Sequence, residues 1–203
     1  MPKSTSAATY PTILMLHGRG SDEEDLLGLA EYLDDRFFLI GARAPFAFSS
    51  GGYTWYDLKE YGEPDLNSFM TSYDKLSHFL DDILAGYPVD PTTVLLFGFS
   101  MGTVMAYTLA LTQPDRIRGV AANSGYLPEI PSLEYRWQKL DHTEFFISHG
   151  TEDPIIPITL ARRARARLES SNASVLYHEY PMPHTIGAQA LADVVAWISR
   201  FLL

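Results

Sequence analysis

Short apolar runs alternate with longer amphipathic segments along the chain. Residues 13–16 form a four-residue apolar run, Ile-Leu-Met-Leu, which is typical of a strand buried on both faces. Comparable runs predict further strands at residues 37–40, 93–97, 117–122, 144–148 and 175–180. Residues 42–64, rich in Gly, Ser, Pro and aromatic residues, are predicted as a loop.

Helical periodicity fills most of the intervals between these runs. Ser21 and Glu24 are spaced as a capping box, which predicts a helix through about Tyr32. Further helices are predicted at residues 69–86, 101–111, 158–168 and 186–201. Strands alternating with helices favour an α/β fold with a mainly parallel, doubly wound sheet of about six or seven strands. Because no linker or repeat divides its 203 residues, we expect one domain over residues 1–203.

Composition excludes several classes of protein. The net charge of −10 argues against nucleic-acid binding, and the absence of cysteine excludes disulfides and thiol nucleophiles. No apolar run has the length of a transmembrane helix, and residues 1–10 lack the apolar core of a signal peptide, so a cytoplasmic location is expected. No metal-ligand spacing or dinucleotide fingerprint occurs, so neither a metal nor a cofactor is expected. The oligomeric state stays open, a homodimer included.

Reactive groups in such sheets lie on loops beyond the carboxyl ends of the strands. Gly98-Phe99-Ser100-Met101-Gly102 follows a predicted strand and opens a predicted helix, which matches G-x-S-x-G in its strand–turn–helix context. The glycines are needed because a Cβ there would collide with the neighbouring strand or helix. Ser100 is therefore the candidate nucleophile.

A serine nucleophile needs a base and an orienting carboxylate. Asp153 follows the strand at residues 144–148 by a few positions, with Glu152 as its competitor; Pro154 beside it favours Asp153. His184 follows the strand at residues 175–180 and is the candidate base. His17 and His149 each precede a glycine at a strand end, where we expect them to hold loops by hydrogen bonds.

Two backbone donors are required for the oxyanion of an acyl-transfer reaction. Met101, the residue after the nucleophile, should supply one. The loop His17-Gly18-Arg19-Gly20 after the first strand should supply the other, with the Arg19 main chain as the candidate.

Six segments in order resemble the phospholipase/carboxylesterase family of α/β-hydrolases, which includes acyl-protein thioesterases and small bacterial carboxylesterases. These segments are LHGRG at 16–20, WYD at 55–57, GFSMG at 98–102, NSGYLP at 123–128, HGTEDPIIP at 149–157 and PHT at 183–185. The resemblance implies the α/β-hydrolase fold without a large lid, the same triad and oxyanion donors, and cofactor-free hydrolysis of esters or thioesters. Arg19 and Met101 depart from the family, which commonly has Leu and Gln at these positions, and this bears on substrate choice.

The loop at residues 42–64 is the expected wall of the substrate pocket. Its apolar side chains, together with one beside His184, could face an acyl chain: Phe46, Phe48, Trp55, Leu58 and Met182. Packing of the loop onto the domain is the alternative for these residues.

The sequence therefore predicts a serine carboxylesterase that hydrolyses an ester, thioester or lysophospholipid through an acyl-enzyme on Ser100. A small-molecule ester or thioester would be its partner. A catalytically degenerate binding module and a dienelactone-hydrolase-like enzyme are the alternatives. The first typically lacks a triad member, and the second typically uses a cysteine.

Overall fold

A six-stranded parallel sheet forms the centre of the structure, a computed structural model that describes residues 9–60, 63–171 and 173–202. The strands are β1 (Tyr10–Leu16), β2 (Phe38–Ala42), β3 (Phe46–Ala47), β4 (Tyr53–Thr54), β5 (Leu58–Glu60), β6 (Glu63–Pro64), β7 (Val89–Phe99), β8 (Gly119–Asn123), β9 (Glu144–Gly150) and β10 (Ser174–Tyr180). The sheet order is β10-β9-β8-β7-β1-β2. All six strands predicted from apolar runs are members of this sheet.

Helices cover both faces of the sheet. The α-helices are α1 (Leu66–Gly86), α2 (Met101–Thr112), α3 (Ile158–Glu169) and α4 (Ala188–Ser199). Short 3₁₀ helices occupy Leu26–Tyr32, Pro114–Arg116, Trp137–Lys139 and Arg200–Leu202. α1 begins at Leu66 because the Asp65 carboxylate accepts a hydrogen bond from the Ser68 amide at 2.9 Å.

Alternation along β1 divides the core into two layers. Leu14 and Leu16 point to the layer formed with α1, α2 and α3, whereas Ile13 and Met15 point to the layer formed with α4 and the first 3₁₀ helix. All four side chains are at most 1% exposed. Every residue of α2 is buried, so the helix that follows Ser100 is held rigidly against the sheet.

The first predicted helix is wrong in type and in its start. No capping box forms at Ser21, because its backbone bridges to Tyr53, whose amide donates to the Ser21 carbonyl oxygen at 2.7 Å. The Glu24 amide instead donates a hydrogen bond to the Asp22 carboxylate at 3.0 Å. The helix is therefore a 3₁₀ segment that starts only at Leu26.

The loop predicted at residues 42–64 contains two short antiparallel hairpins, β3–β4 and β5–β6. Between β8 and β9 the chain carries a turn and one short 3₁₀ helix at Trp137–Lys139. Within the described residues no inserted lid domain covers the carboxyl edge of the sheet, and the loops after β1, β7, β8, β9 and β10 meet there. The α/β-hydrolase fold expected from the sequence is confirmed.

Candidate active site

Ser100 occupies a sharp turn between β7 and α2. Its backbone has φ 55° and ψ −119°, a region that non-glycine residues rarely adopt. A Cβ on Gly98 would lie 2.5 Å from the Thr103 Cα, and one on Gly102 would lie 1.8 Å from the Leu16 carbonyl oxygen. The predicted need for both glycines is therefore confirmed: α2 contacts the first and β1 contacts the second.

Asn123, at the end of β8, braces this turn. Its carbonyl oxygen accepts hydrogen bonds from the Ser100 amide at 3.0 Å and the Thr103 hydroxyl at 2.7 Å. Its side-chain amide donates to the Gly98 carbonyl oxygen at 3.1 Å, and its side-chain oxygen accepts from the Ser148 hydroxyl. These bonds offset the strain at Ser100, and they give a structural role to the NSGYLP segment that the sequence alone did not assign.

The side chains of Ser100, His184 and Asp153 form one chain of hydrogen bonds. The distance from Ser100 Oγ to His184 Nε2 is 3.0 Å, and that from His184 Nδ1 to Asp153 Oδ2 is 2.7 Å. A carboxylate only accepts, so Nδ1 carries the ring hydrogen and Nε2 is left to accept from the Ser100 hydroxyl. The Phe99 ring supports the imidazole at a centroid distance of 5.0 Å. This arrangement can take a proton from serine.

The side chain of Asp153 is fully buried, and each of its oxygens has fixed partners. Oδ1 accepts from the amides of Ile155 at 2.8 Å and Ile156 at 2.9 Å. Burial by itself raises the pKa of Asp153, but the hydrogen bonds from His184, Ile156 and Ile155 outweigh it and hold that pKa below its ordinary value. Its competitor Glu152 is exposed to solvent. The structure thus brings Asp153, and not Glu152, to His184.

His149 is a second imidazole beside Asp153. Its Nε2 donates to the Ile156 carbonyl oxygen at 2.8 Å and lies 3.3 Å from Asp153 Oδ2. The loop-holding role expected from sequence therefore extends to the carboxylate itself. Among described residues its Nδ1 has no hydrogen-bond partner, and burial lowers the pKa of His149, so the ring is neutral with its hydrogen on Nε2.

The loop after β1 lies beside Ser100. A Cβ on Gly18 would be 3.5 Å from the Ser100 Cβ. His17 Nε2 accepts from the Ala44 amide at 3.1 Å, so its Nδ1 carries the hydrogen and donates to the Gly18 carbonyl oxygen at 2.7 Å. The C=O and N–H of a trans peptide point in opposite directions, so this bond also sets the direction of the Arg19 N–H. Within residues 9–60, 63–171 and 173–202, neither the Arg19 amide nor the Met101 amide donates to another protein group.

A cavity of about 350 Å³ opens above Ser100. Its wall is mainly apolar and aromatic, and it includes Gly18, Arg19, Tyr56, Leu58, Phe99, Met101, Tyr126, Ile155, Ile156, Leu160 and His184. A depression of about 730 Å³ lies elsewhere, and one of about 930 Å³ adjoins the cavity through Tyr126 and Leu160. Neither is lined by Ser100, Asp153 or His184. Because it contains Ser100, the smaller cavity is the candidate substrate pocket.

Of the five side chains predicted to line the pocket, Leu58 does so and the other four lie elsewhere. Trp55 is buried and donates its indole N–H to the His17 carbonyl oxygen at 2.9 Å. Met182 is also buried, with its sulfur 3.3 Å from the Gly187 amide. Phe46 pairs with Thr54 across β3 and β4, and Phe48 lies under the Arg19 guanidinium at 4.4 Å.

Several pocket residues were not found by sequence reasoning. Tyr56 and Tyr126 face each other across the cavity wall, with their hydroxyl oxygens 3.2 Å apart. Ile155 and Ile156 follow the triad acid, and Leu160 lies in the first turn of α3. The WYD, YLP and PIIP segments that carry all but one of these side chains were recognised as motifs, but sequence spacing does not reveal that they converge.

Two further features bear on the chemistry. No group of three or more His, Asp or Glu side chains that could hold a metal ion occurs among the described residues. In the same part of the chain, none of the helices combines the length and apolar character needed to cross a membrane.

A model of the phospholipase/carboxylesterase family matches residues 3–202. The chain is 26% identical over 213 residues to acyl-protein thioesterase 1 of Saccharomyces cerevisiae, covering 94% of this chain and 92% of the relative. It is 25% identical over 214 residues to a probable carboxylesterase, SOBER1-like, of Arabidopsis thaliana, covering 98% and 80%.

Solved structures show the same fold. The carboxylesterase of Bacillus cereus superposes with a TM-score of 0.85 at 23% identity, over 95% of this chain and 89% of that one. The carboxylesterase of Mesorhizobium loti gives a TM-score of 0.84 at 20% identity, over 96% and 90%. The named relatives support a hydrolase acting on esters or thioesters. The match over nearly the whole sequence shows that this chain belongs to the phospholipase/carboxylesterase family of α/β-hydrolases.

Proposed function

We propose that the protein is a serine carboxylesterase that forms an acyl-enzyme on Ser100. The observation that carries the proposal is the hydrogen-bonded chain Ser100–His184–Asp153, at 3.0 and 2.7 Å, at the floor of an apolar cavity. All three members lie within hydrogen-bonding distance, which argues against a degenerate binding module. The serine nucleophile, in a chain without cysteine, argues against the dienelactone-hydrolase alternative.

Catalysis would proceed in two acyl-transfer steps. Ser100 Oγ attacks the carbonyl carbon while its proton passes to His184 Nε2, and Asp153 stabilises the resulting imidazolium. The alcohol or thiol leaves with that proton. Water then attacks the acyl-enzyme, gives one proton to His184, and releases the acid as the proton returns to Ser100. Both steps require a neutral His184 that can accept the proton.

The oxyanion would be held by the Arg19 and Met101 amides. The Met101 amide lies in the first turn of α2, where helix N–H groups lack intrahelical partners. Each such donor typically contributes about 2.7–4 kcal/mol of transition-state stabilisation.

The pocket lining supports an apolar group next to the scissile carbonyl, because Leu58, Phe99, Ile155, Ile156 and Leu160 all contribute to it. The proposal covers oxygen esters and thioesters, as the named relatives include both types. The single domain and the cytoplasmic location stay predictions from the sequence, and the oligomeric state stays open, a homodimer included.

Hydrolysis of p-nitrophenyl esters of increasing acyl length tests the proposal. Ser100→Ala should abolish turnover, and Ser199→Ala is the matched control because that hydroxyl bonds within α4, to the Val195 carbonyl oxygen. A fluorophosphonate probe should label the wild type and the control at Ser100, as located by mass spectrometry. Full activity in Ser100→Ala would refute the assignment, and absence of both labelling and turnover in the wild type would favour the binding module.

A further inference from the structure

Arg19 places a guanidinium at the candidate substrate pocket. Its side chain is exposed, and the residue belongs to the lining that contains Ser100 and His184. Burial raises the pKa of the Tyr56 hydroxyl in the same lining, and the positive charge of Arg19 acts against that rise. Among the residues that the structure describes, Arg19 is the sole arginine or lysine in that lining. The sequence predicts that this side chain affects substrate choice, and its charge and position indicate which substrates it would favour.

Arg19 also differs from the other arginines in its partners. In the described residues it forms no ion pair, whereas all other arginines except Arg167 lie within 4.0 Å of a carboxylate. The chain carries 25 acidic residues against 15 basic ones, so an arginine without an acidic neighbour is unexpected in this protein.

The guanidinium of Arg19 lies over an aromatic platform, the ring of Phe48. Its central carbon lies 4.4 Å from the centre of the Phe48 ring, and Phe48 belongs to the turn between β3 and β4. The Phe48 amide donates to the Gly52 carbonyl oxygen at 2.9 Å, which anchors that turn. A contact through the face of the guanidinium leaves its N–H donors, which lie in the guanidinium plane, free for hydrogen bonding.

We propose that the substrate carries an anionic group, a carboxylate or a phosphate, that pairs with Arg19 while its ester carbonyl lies at Ser100. This inference rests on the proposed esterase function and narrows it to esters with a negative charge near the scissile bond. The apolar wall binds the carbon skeleton, and Arg19 selects for the charge. Phe48 then acts as a positioning residue for specificity, rather than as the acyl contact predicted from sequence.

Two pairs of esters separate the acyl part from the alcohol part. Mono-p-nitrophenyl glutarate and its methyl ester differ in a charge on the acyl side, and 4-acetoxybenzoate and its methyl ester differ in a charge on the leaving group. The measured quantity is the ratio of kcat/KM for the charged ester to kcat/KM for its neutral methyl ester. For at least one pair, we expect this ratio to be at least tenfold higher in the wild type than in Arg19→Gln. Tenfold corresponds to about 1.4 kcal/mol and exceeds what fully exposed ion pairs usually give.

The ratio within a pair is the readout, because any disturbance of the Arg19 backbone donor affects both members alike. Arg200→Gln is the matched control: it removes the same charge from an exposed ion pair with Glu144, at the opposite edge of the sheet, and should keep the wild-type ratios. Phe48→Leu removes the platform and should give ratios between those of wild type and Arg19→Gln. Ratios equal in wild type and Arg19→Gln for both pairs would overturn the inference.

Calorimetric titration of these esters into Ser100→Ala, and into the double variant Ser100→Ala with Arg19→Gln, separates this inference from the proposed function. A charge preference in binding that Arg19→Gln removes supports the anion site even if the wild type hydrolyses none of the esters. Conversely, turnover that depends on Ser100, with neither binding nor rate sensitive to Arg19, supports the esterase and refutes the anion site.

Discussion

Asp153→Asn tests the roles of the triad most directly, because the structure fixes how the new amide would lie. Oδ1 of Asp153 accepts two backbone hydrogen bonds, from Ile155 and Ile156. Only the oxygen of an asparagine can occupy that place. The amide nitrogen must therefore replace Oδ2, which lies 2.7 Å from His184 Nδ1 and 3.3 Å from His149 Nε2.

An amide NH₂ group donates and cannot accept. His184 Nδ1 would then have to be the unprotonated nitrogen, and Nε2 would carry the hydrogen and point it at Ser100 Oγ. In that tautomer the imidazole cannot take the serine proton. The same substitution in the serine-protease triad lowers kcat by about 10⁴-fold, which equals about 5 kcal/mol of barrier, and we expect a loss of that order here.

The assay is single-turnover and steady-state hydrolysis of p-nitrophenyl butyrate, with circular dichroism to show that the variant is folded. Glu152→Gln is the matched control, because it makes the same chemical change at the exposed neighbouring carboxylate and should stay within about twofold of wild type. A folded Asp153→Asn with more than a tenth of wild-type kcat would refute the assignment. Loss of activity in Glu152→Gln alone would move the role of the acid to Glu152.

Three further predictions concern the surroundings of the triad. Gly102→Ala places a Cβ 1.8 Å from the Leu16 carbonyl oxygen and should lower the free energy of unfolding, measured by urea titration, by at least about 3 kcal/mol. Gly28→Ala is the control, because a Cβ there meets nothing within 4 Å. Equal effects of the two substitutions would contradict the packing argument. His17→Gln should lower kcat about 10- to 100-fold with little change in KM, since it misaligns the Arg19 amide, a proposed oxyanion donor, which then loses part of its contribution. His142→Gln, at an exposed position, should have no effect, and a change confined to KM would assign His17 to substrate binding instead. Burial lowers the pKa of His149, so in acid the unfolded chain binds a proton that the folded chain does not, and stability should fall as pH drops below about 6.5. His149→Gln should weaken the pH dependence of the free energy of unfolding relative to His78→Gln, which changes an exposed histidine. An unchanged pH dependence would show that His149 does not contribute.

The sheet and the triad could be predicted because their signals are local. A buried parallel strand is a continuous apolar run, and the candidate nucleophile, acid and base follow β7, β9 and β10 in that chain order. Ser100, Asp153 and His184 each follow a strand within a few residues, so the fold class alone indicates that they converge. The same logic placed Arg19 and Met101 beside the nucleophile.

The pocket wall could not be predicted in this way, because side-chain direction in a loop depends on contacts distant in sequence. Trp55 turns inward since its indole N–H binds the His17 carbonyl oxygen, 38 positions away. Its neighbour Tyr56 consequently lines the cavity, where it meets Tyr126 from the loop after β8. The failed capping box at Ser21 has the same origin, since its backbone pairs with Tyr53 rather than starting a helix.

The backbone of Ser100 has a consequence for the balance between stability and activity. A non-glycine residue held in such a region costs on the order of 1–3 kcal/mol. Ser100→Ala keeps the Cβ and the strain, whereas Ser100→Gly removes both and should be the more stable of the two inactive proteins. Selection for folding stability alone would therefore favour glycine at this position. Under the proposed function, a serine persists there only while hydrolysis is itself under selection, so stability screens of this protein should be paired with an activity screen.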